Sequence, residues 1–258
     1  MITTLVLLKL SLIFFLIATV YAAVGFGGGS SYLAMLSLYL KDFLAIKTTG
    51  LLCNLVVVSN GSYLFRKNGW FDGRRFLPVV LGGVPMAFYG ATIRLQQTIF
   101  FIVLGSVLMA SGVLLLLQHV LRPSETSTYR KTYAIADGLL GAGVGFLSGL
   151  VGIGGGILLS PVLNLMRWDS PKRIAALASF FILVNSIAGL LGQLAGGHFN
   201  IQMPLVGVLL VAVFLGGQLG TRISLKAIRP GVIKGLTGVL VGYIGVKLVL
   251  KHTIGIDI

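Results

Sequence analysis

The stretch Val24-Gly25-Phe26-Gly27-Gly28-Gly29 interrupts a long apolar segment, and it returns almost unchanged as Val151-Gly152-Ile153-Gly154-Gly155-Gly156. Each glycine cluster is followed by a short apolar run, at 30–40 and at 157–166, that is too short to cross a bilayer alone. Consecutive glycines are unfavourable within a helix, at roughly 1 kcal/mol each relative to alanine. Each cluster is therefore predicted to end one helix and to let a short second helix begin.

The two clusters belong to a longer internal repeat. Gly69-Trp70-Phe71-Asp72 resembles Gly197-His198-Phe199-Asn200, and Asp42 matches Asp169 at a similar spacing. Self-similarity at one offset along most of the chain indicates a duplication. The predicted organisation is a first transmembrane repeat at 1–121, a cytoplasmic linker at 122–131 and a second repeat at 132–258.

The composition places the chain in a membrane. Of its 258 residues 56% are hydrophobic and 10% are charged, and the mean hydropathy is +1.00. Soluble domains carry about 25% charged residues, so this chain cannot cover itself with a polar surface. At about 20 residues per crossing it has room for roughly eight to ten spans and little else. A secretory signal peptide at the N-terminus is the weaker interpretation, because the same pattern recurs in mid-chain.

Few residues are suited to catalysis or to metal binding. The chain has six acidic residues, three histidines and one cysteine, Cys53. Paired carboxylates, a Ser-His dyad and a ligand cluster are all missing from the apolar runs, so an enzyme is disfavoured and no metal or cofactor is expected. The glycine clusters also lack the soluble strand-helix-strand context of a dinucleotide site.

Basic residues are distributed unequally between equivalent loops of the two repeats. The loop 66–75 carries four, whereas its equivalent 196–200 carries none; 222–234 carries four, whereas 94–97 carries only Arg94. Because Lys and Arg favour the cytoplasmic side, equivalent loops are expected on opposite sides of the membrane. The +14 net charge is then explained by orientation, without nucleic acid.

Inversion of the repeats requires an odd number of crossings in each. A glycine-broken hairpin that enters and returns, followed by three full helices, satisfies this requirement. The predicted fold is therefore an all-α polytopic membrane protein of two inverted repeats, with about eight full spans plus two short half-helices.

Glycine-broken helices at matching positions of two inverted halves indicate the binding site of a transporter. The first amides of a new helix lack partners and carry partial positive charge, so two such ends form a pocket for a small anion without a buried lysine. The alternative is that the glycines only let helices pack closely. The predicted substrate-binding residues include Gly27, Gly28, Gly29, Ser30, Ser31, Gly154, Gly155 and Gly156.

Polar residues on the next helix of each repeat could complete this pocket. Hydroxyl and amide groups can replace part of an oxyanion's hydration shell, although the same groups also bond to helix carbonyls. Thr49 and Ser179 were aligned as equivalent positions of the two repeats. We add to the predicted site Thr49, Asn54, Ser179 and Asn185.

The duplicated Val-Gly-x-Gly-Gly-Gly clusters, each followed by Asp and then by Ala and Thr or Ser, resemble the TauE/SafE family of membrane anion transporters, over nearly the whole chain. The resemblance implies an inverted-repeat carrier of sulfite, sulfonates such as sulfoacetate, or related anions. It also implies a site role for Arg222, which follows Gly217, Gly220 and Thr221 as in the family pattern. Thr92 stands at the equivalent position of the first repeat.

The sequence thus predicts a secondary transporter of the inner, cytoplasmic membrane that works by alternating access. An anion channel is the first alternative, and an intramembrane enzyme is the second. The expected partners are a small anionic substrate and the lipid bilayer. The sequence is also compatible with a homo-oligomer.

Overall fold

The computed structural model describes residues 4–23, 25–40, 42–121, 133–224 and 230–253, and every regular element in those ranges is an α-helix. Val24 and the predicted linker 122–131 lie outside them. The helices are α1 Thr4–Ala22, α2 Gly29–Tyr39, α3 Phe43–Lys67, α4 Gly73–Thr92, α5 Gln97–Leu121, α6 Ala134–Val151, α7 Gly156–Leu165, α8 Pro171–Ala195, α9 Met203–Ser224 and α10 Pro230–Thr253.

The glycine clusters do break the helix at both places. Gly28 and Gly155 precede α2 and α7 with φ of 89° and 83°, a conformation that only glycine adopts without strain. With 11 and 10 residues, α2 and α7 are about 15 Å long, half the hydrocarbon thickness. The Phe14 ring stacks on Tyr32 at 4.7 Å, so α2 turns back along α1.

Six described helices are long and apolar enough to cross a membrane: α1, α3, α5, α6, α8 and α9. The all-helical membrane fold is therefore confirmed. The count of eight full spans stays a prediction, because α4 and α10 have the length, at 20 and 24 residues, but are not among the six.

Close contacts between backbones show which helices run in parallel. A Cβ on Gly216 would lie 2.3 Å from the carbonyl oxygen of Phe15, and one on Gly220 would lie 2.1 Å from that of Thr19. Because the contact moves four residues toward the C-terminus in both helices, α9 runs parallel to α1. The glycines of α6 contact α4 in the same way, at Gly141, Gly145 and Gly149. These glycines therefore serve close packing, as small residues do between membrane helices.

The central helices α3 and α8 run antiparallel. At one end, the Thr48 hydroxyl donates to Gln193 Oε1 at 2.6 Å, and the Asn200 amide donates to Asp42. At the other end, Arg75 forms an ion pair of 2.7 Å with Asp169, which stands just before α8. The start of each helix therefore lies beside the end of the other.

The two loops that differ in charge therefore lie at opposite ends of the α3 and α8 pair. Cysteines introduced by Asn68→Cys and Phe199→Cys, in a Cys53→Ser background, show on which side of the membrane each loop lies. We expect an impermeant maleimide to label Phe199→Cys in intact cells and to label Asn68→Cys only after lysis, because the excess of basic residues predicts that the 66–75 loop is cytoplasmic. Both positions are exposed, and Phe199 avoids the strain that Cys would meet at Gly197, where φ is 67°. The opposite labelling pattern would contradict the orientation.

Candidate functional site

The two glycine clusters come together on one side chain, that of Asn54. A Cβ on Gly27 would lie 2.4 Å from Asn54 Oδ1, and Cβ atoms on Gly29 and Gly154 would lie 2.2 and 2.9 Å from Asn54 Nδ2. The same Nδ2 donates to the carbonyl oxygen of Ile153 at 2.8 Å. Asn54 is fully buried, so the first repeat reaches the second through this amide.

Both short helices begin inside the protein without a side-chain cap. Neither Gly28 nor Gly155 makes a capping hydrogen bond through a side chain, and Gly29 and Gly156 are buried. By contrast, α3, α4 and α8 are capped by Asp42, Asp72 and Ser170. A buried helix start without a cap leaves amide donors and a partial positive charge for another group to use.

Buried polar side chains without partners lie on α2 and α8, and one of them, Ser186, lies beside the second glycine cluster. Ser30 Oγ, Ser186 Oγ and both amide atoms of Asn185 make no hydrogen bond with the described residues. All three residues are at most 1% exposed, and a Cβ on Gly154 would lie 3.3 Å from Ser186 Oγ. Leaving such groups unpaired costs about 1 to 3 kcal/mol each, which favours a bound polar ligand or water.

Further side chains pack against the two glycines that precede the short helices. A Cβ on Gly28 would lie 2.9 Å from the Tyr32 hydroxyl oxygen, and one on Gly155 would lie 3.0 Å from the Phe181 ring and 3.2 Å from Ser148 Cβ. Tyr32 Oη and Ser148 Oγ have no hydrogen-bond partner in the described chain. Neither residue was predicted from the sequence, because each is recognisable only by its place beside a glycine.

The predicted site residues divide into two groups. The glycines, Ser30 and Asn54 lie at or beside the two helix starts, and Ser31 shares a 2.6 Å hydrogen bond with the Tyr21 hydroxyl, whereas no contact of Asn185 within the described residues, which is buried on α8, joins it to either glycine cluster. Thr49 instead donates to the Ala45 carbonyl of its own helix, and Ser179 contacts Gly61. Arg222 is exposed near the end of α9, so the structure does not bring it into the buried cluster.

The contacts also change the alignment of the repeats. A Cβ on Gly25 would lie 2.9 Å from Ala175 Cβ, and one on Gly152 would lie 2.5 Å from Lys47 Cγ. Lys47 is therefore the counterpart of Ala175, which makes the earlier pairing of Thr49 with Ser179 wrong by two residues. Lys47 is 4% exposed and lies beside the second glycine loop, so the expectation of a pocket without a buried lysine stays a prediction until the role of Lys47 is tested.

The arrangement thus combines two uncapped helix starts, unpaired hydroxyl and amide groups and a buried lysine at one protein-enclosed place. It can hold a small anion by hydrogen bonds and charge. The part of the chain that is described contains no group of three or more His, Cys, Asp or Glu suited to a metal ion.

Residues 10–248 match the family model described as sulfite exporter TauE/SafE. The chain belongs to this family. It is therefore a multi-pass membrane protein of a transporter family, as its long apolar helices also indicate. None of the solved structures matches this TauE/SafE chain at a significant level.

Relatives of this TauE/SafE chain are named as transporters. It is 33% identical over 240 residues to "Probable membrane transporter protein y4hK" of Sinorhizobium fredii, which covers 93% of this chain and 96% of that protein. It is 32% identical over 126 residues to "Probable membrane transporter protein YunE" of Bacillus subtilis, covering 49% of this chain and 44% of the other. These names describe transporters and do not state a substrate.

The glycines before the short helices provide a direct test of the site. We expect Gly28→Leu and Gly155→Leu to abolish oxyanion binding measured by calorimetry on purified protein. A side chain at these positive φ values is strained, and it would fill the space beside the exposed amides. The matched control is Gly143→Leu in α6, where a Cβ would meet nothing within 4 Å. All three variants should be checked for monodisperse elution. Unchanged affinity in both folded test variants would make these clusters packing glycines.

Proposed function

We propose that this protein is a secondary transporter that moves small sulfur-containing oxyanions, such as sulfite or sulfonates, across the cytoplasmic membrane. The observation that carries the proposal is the convergence of two buried, uncapped helix starts on Asn54, beside unpaired Ser30 and Ser186. Membership of the sulfite exporter family supports the choice of sulfur-containing anions. An enzymatic role has no comparable cluster of groups to support it.

An oxyanion fits this site better than a cation or a neutral solute. Helix starts present N–H donors and the positive end of the helix dipole, and hydroxyl and amide groups add donors that can turn toward an anion. A compact headgroup with several acceptor oxygens can accept hydrogen bonds from both loops at once. Sulfite and sulfonate headgroups have this shape.

Alternating access is supported by the helix directions. The counterpart helices α3 and α8 run in opposite directions, as inverted repeats require. Polar contacts hold the two ends of the central pair differently: Arg75 and Arg173 lie 2.7 and 3.5 Å from Asp169 at one end, and Asn200 donates to Asp42 at the other. In this mechanism the two ends open in turn while the glycine loops keep the anion between them.

A counterflow assay separates a carrier from a channel. Purified protein in liposomes loaded with unlabelled sulfite should take up labelled sulfite above its equilibrium level, because a carrier exchanges substrate through alternating states. Uptake should saturate, and neutral analogues should not compete. Flux that neither saturates nor shows counterflow would indicate a channel, and absence of flux for sulfite and sulfonates would refute the proposed substrate class.

A further inference from the structure

The helix α3 contains a buried lysine within its first two turns. Lys47 is 4% exposed, and α3 is among the helices that are long and apolar enough to span a membrane. An ionised side chain in a membrane helix is costly, by about 2.5 to 3.5 kcal/mol near the centre, unless a partner of opposite charge or water compensates it. Such a residue indicates a functional site, and its partner has to be identified.

The surroundings of Lys47 belong to the second glycine loop. A Cβ on Gly152 would lie 2.5 Å from Lys47 Cγ, and one on Gly50 would lie 3.7 Å from the Gly152 carbonyl oxygen. Asn54, which binds the Ile153 carbonyl, lies on the same face of α3 seven residues after Lys47, since positions three, four and seven apart share a face. The loop therefore runs along α3 from Lys47 to Asn54.

No described acidic residue is recorded in an ion pair with Lys47. The carboxylate of Asp42, one turn before it, accepts hydrogen bonds from the Leu44 and Ala45 amides and from Asn200. Asp169 is paired with arginines at the opposite end of α3. Within the ranges that the structure describes, the ammonium group of Lys47 thus has no recorded salt bridge or hydrogen bond.

The lysine occurs in one repeat only. Its counterpart against the first glycine loop is Ala175, whose Cβ would lie 2.9 Å from a Cβ on Gly25. Packing against a glycine loop does not require a charged side chain, because Ala175 serves in the other repeat. Among the residues that the structure describes, the buried lysine therefore lies on the side of α3 only.

We propose that the ammonium group of Lys47 binds the negatively charged headgroup of the transported oxyanion beside the glycine loop of 152–154. The inference rests on the proposed function and deepens it, because it assigns charge selection to a residue. The amides and hydroxyls orient the oxygen atoms, and the ammonium group requires a net negative charge. An anion then compensates the lysine, whereas a neutral solute leaves it unpaired.

Charge removal at constant length tests this role. We expect Lys47→Met to weaken sulfite binding by about tenfold or more in calorimetry, the loss typical of a charged hydrogen bond. The matched control is Lys9→Met, because Lys9 is an exposed lysine on α1. Lys9→Met should bind as the wild type does.

Restoring the charge chemically separates this role from packing. In a Cys53→Ser background, Lys47→Cys should regain binding after reaction with aminoethyl methanethiosulfonate, which rebuilds a lysine-like cation, and not after reaction with the neutral ethyl reagent. Mass spectrometry measures modification. The comparison of the two reagents also tests the role of Lys47 if Lys47→Met does not fold.

The outcomes are distinct. If the wild type binds sulfite and Lys47→Met binds it equally well, or if both reagents have equal effect on Lys47→Cys, the role of Lys47 is refuted while the transporter proposal stands. A thiol at position 47 that the reagent cannot reach refutes it too, because a substrate-binding group must be open to small solutes in some transport state. If the wild type binds neither sulfite nor sulfonates, both proposals fail.

Discussion

The structure depends on the need of buried backbone amides for hydrogen-bond partners. In a bilayer a helix satisfies its own backbone, so a helix that starts within the membrane exposes amides that water does not reach freely. Here two helices, α2 and α7, start in this way, and neither Gly28 nor Gly155 provides a capping side chain. The chain supplies one neighbouring amide, Asn54, and several unpaired hydroxyls, and a bound anion would supply the remaining acceptors.

Each glycine loop packs against the opposite repeat. Gly25 lies against Ala175 and Gly152 lies against Lys47, while Asn54 from the first repeat binds Ile153 of the second. The site therefore forms only where the repeats meet. A change in how they pack would alter the pocket and the polar contacts at both ends of α3 and α8 together. In the proposed mechanism these shared contacts couple binding of the anion to opening of the two ends.

The sequence predicted the helices well, because repeated apolar runs and glycine breaks are local signals. The glycine clusters do break the helices, and their role in binding, with that of Asn54, stays a prediction. Side-chain partners were harder to predict: Thr49 bonds to its own helix, and Arg222 is exposed. Lys47 stands near the start of its apolar run, where a lysine side chain commonly reaches the membrane interface. Only the fold of the second repeat against α3 shows that it is buried.

The most direct test of this account is to locate a bound anion by its own scattering. Selenite resembles sulfite, and its selenium atom has a strong anomalous signal. A crystal of the protein with ordinary methionine, soaked in selenite, therefore shows where the anion binds. The account predicts a selenium peak about 4 Å from the glycine amide nitrogens, because each accepting oxygen lies about 3 Å from its donor. The peak should lie between the starts of α2 and α7 and beside Asn54 and Lys47. A peak elsewhere, for example at exposed Arg222 with the glycine loops empty, would contradict it.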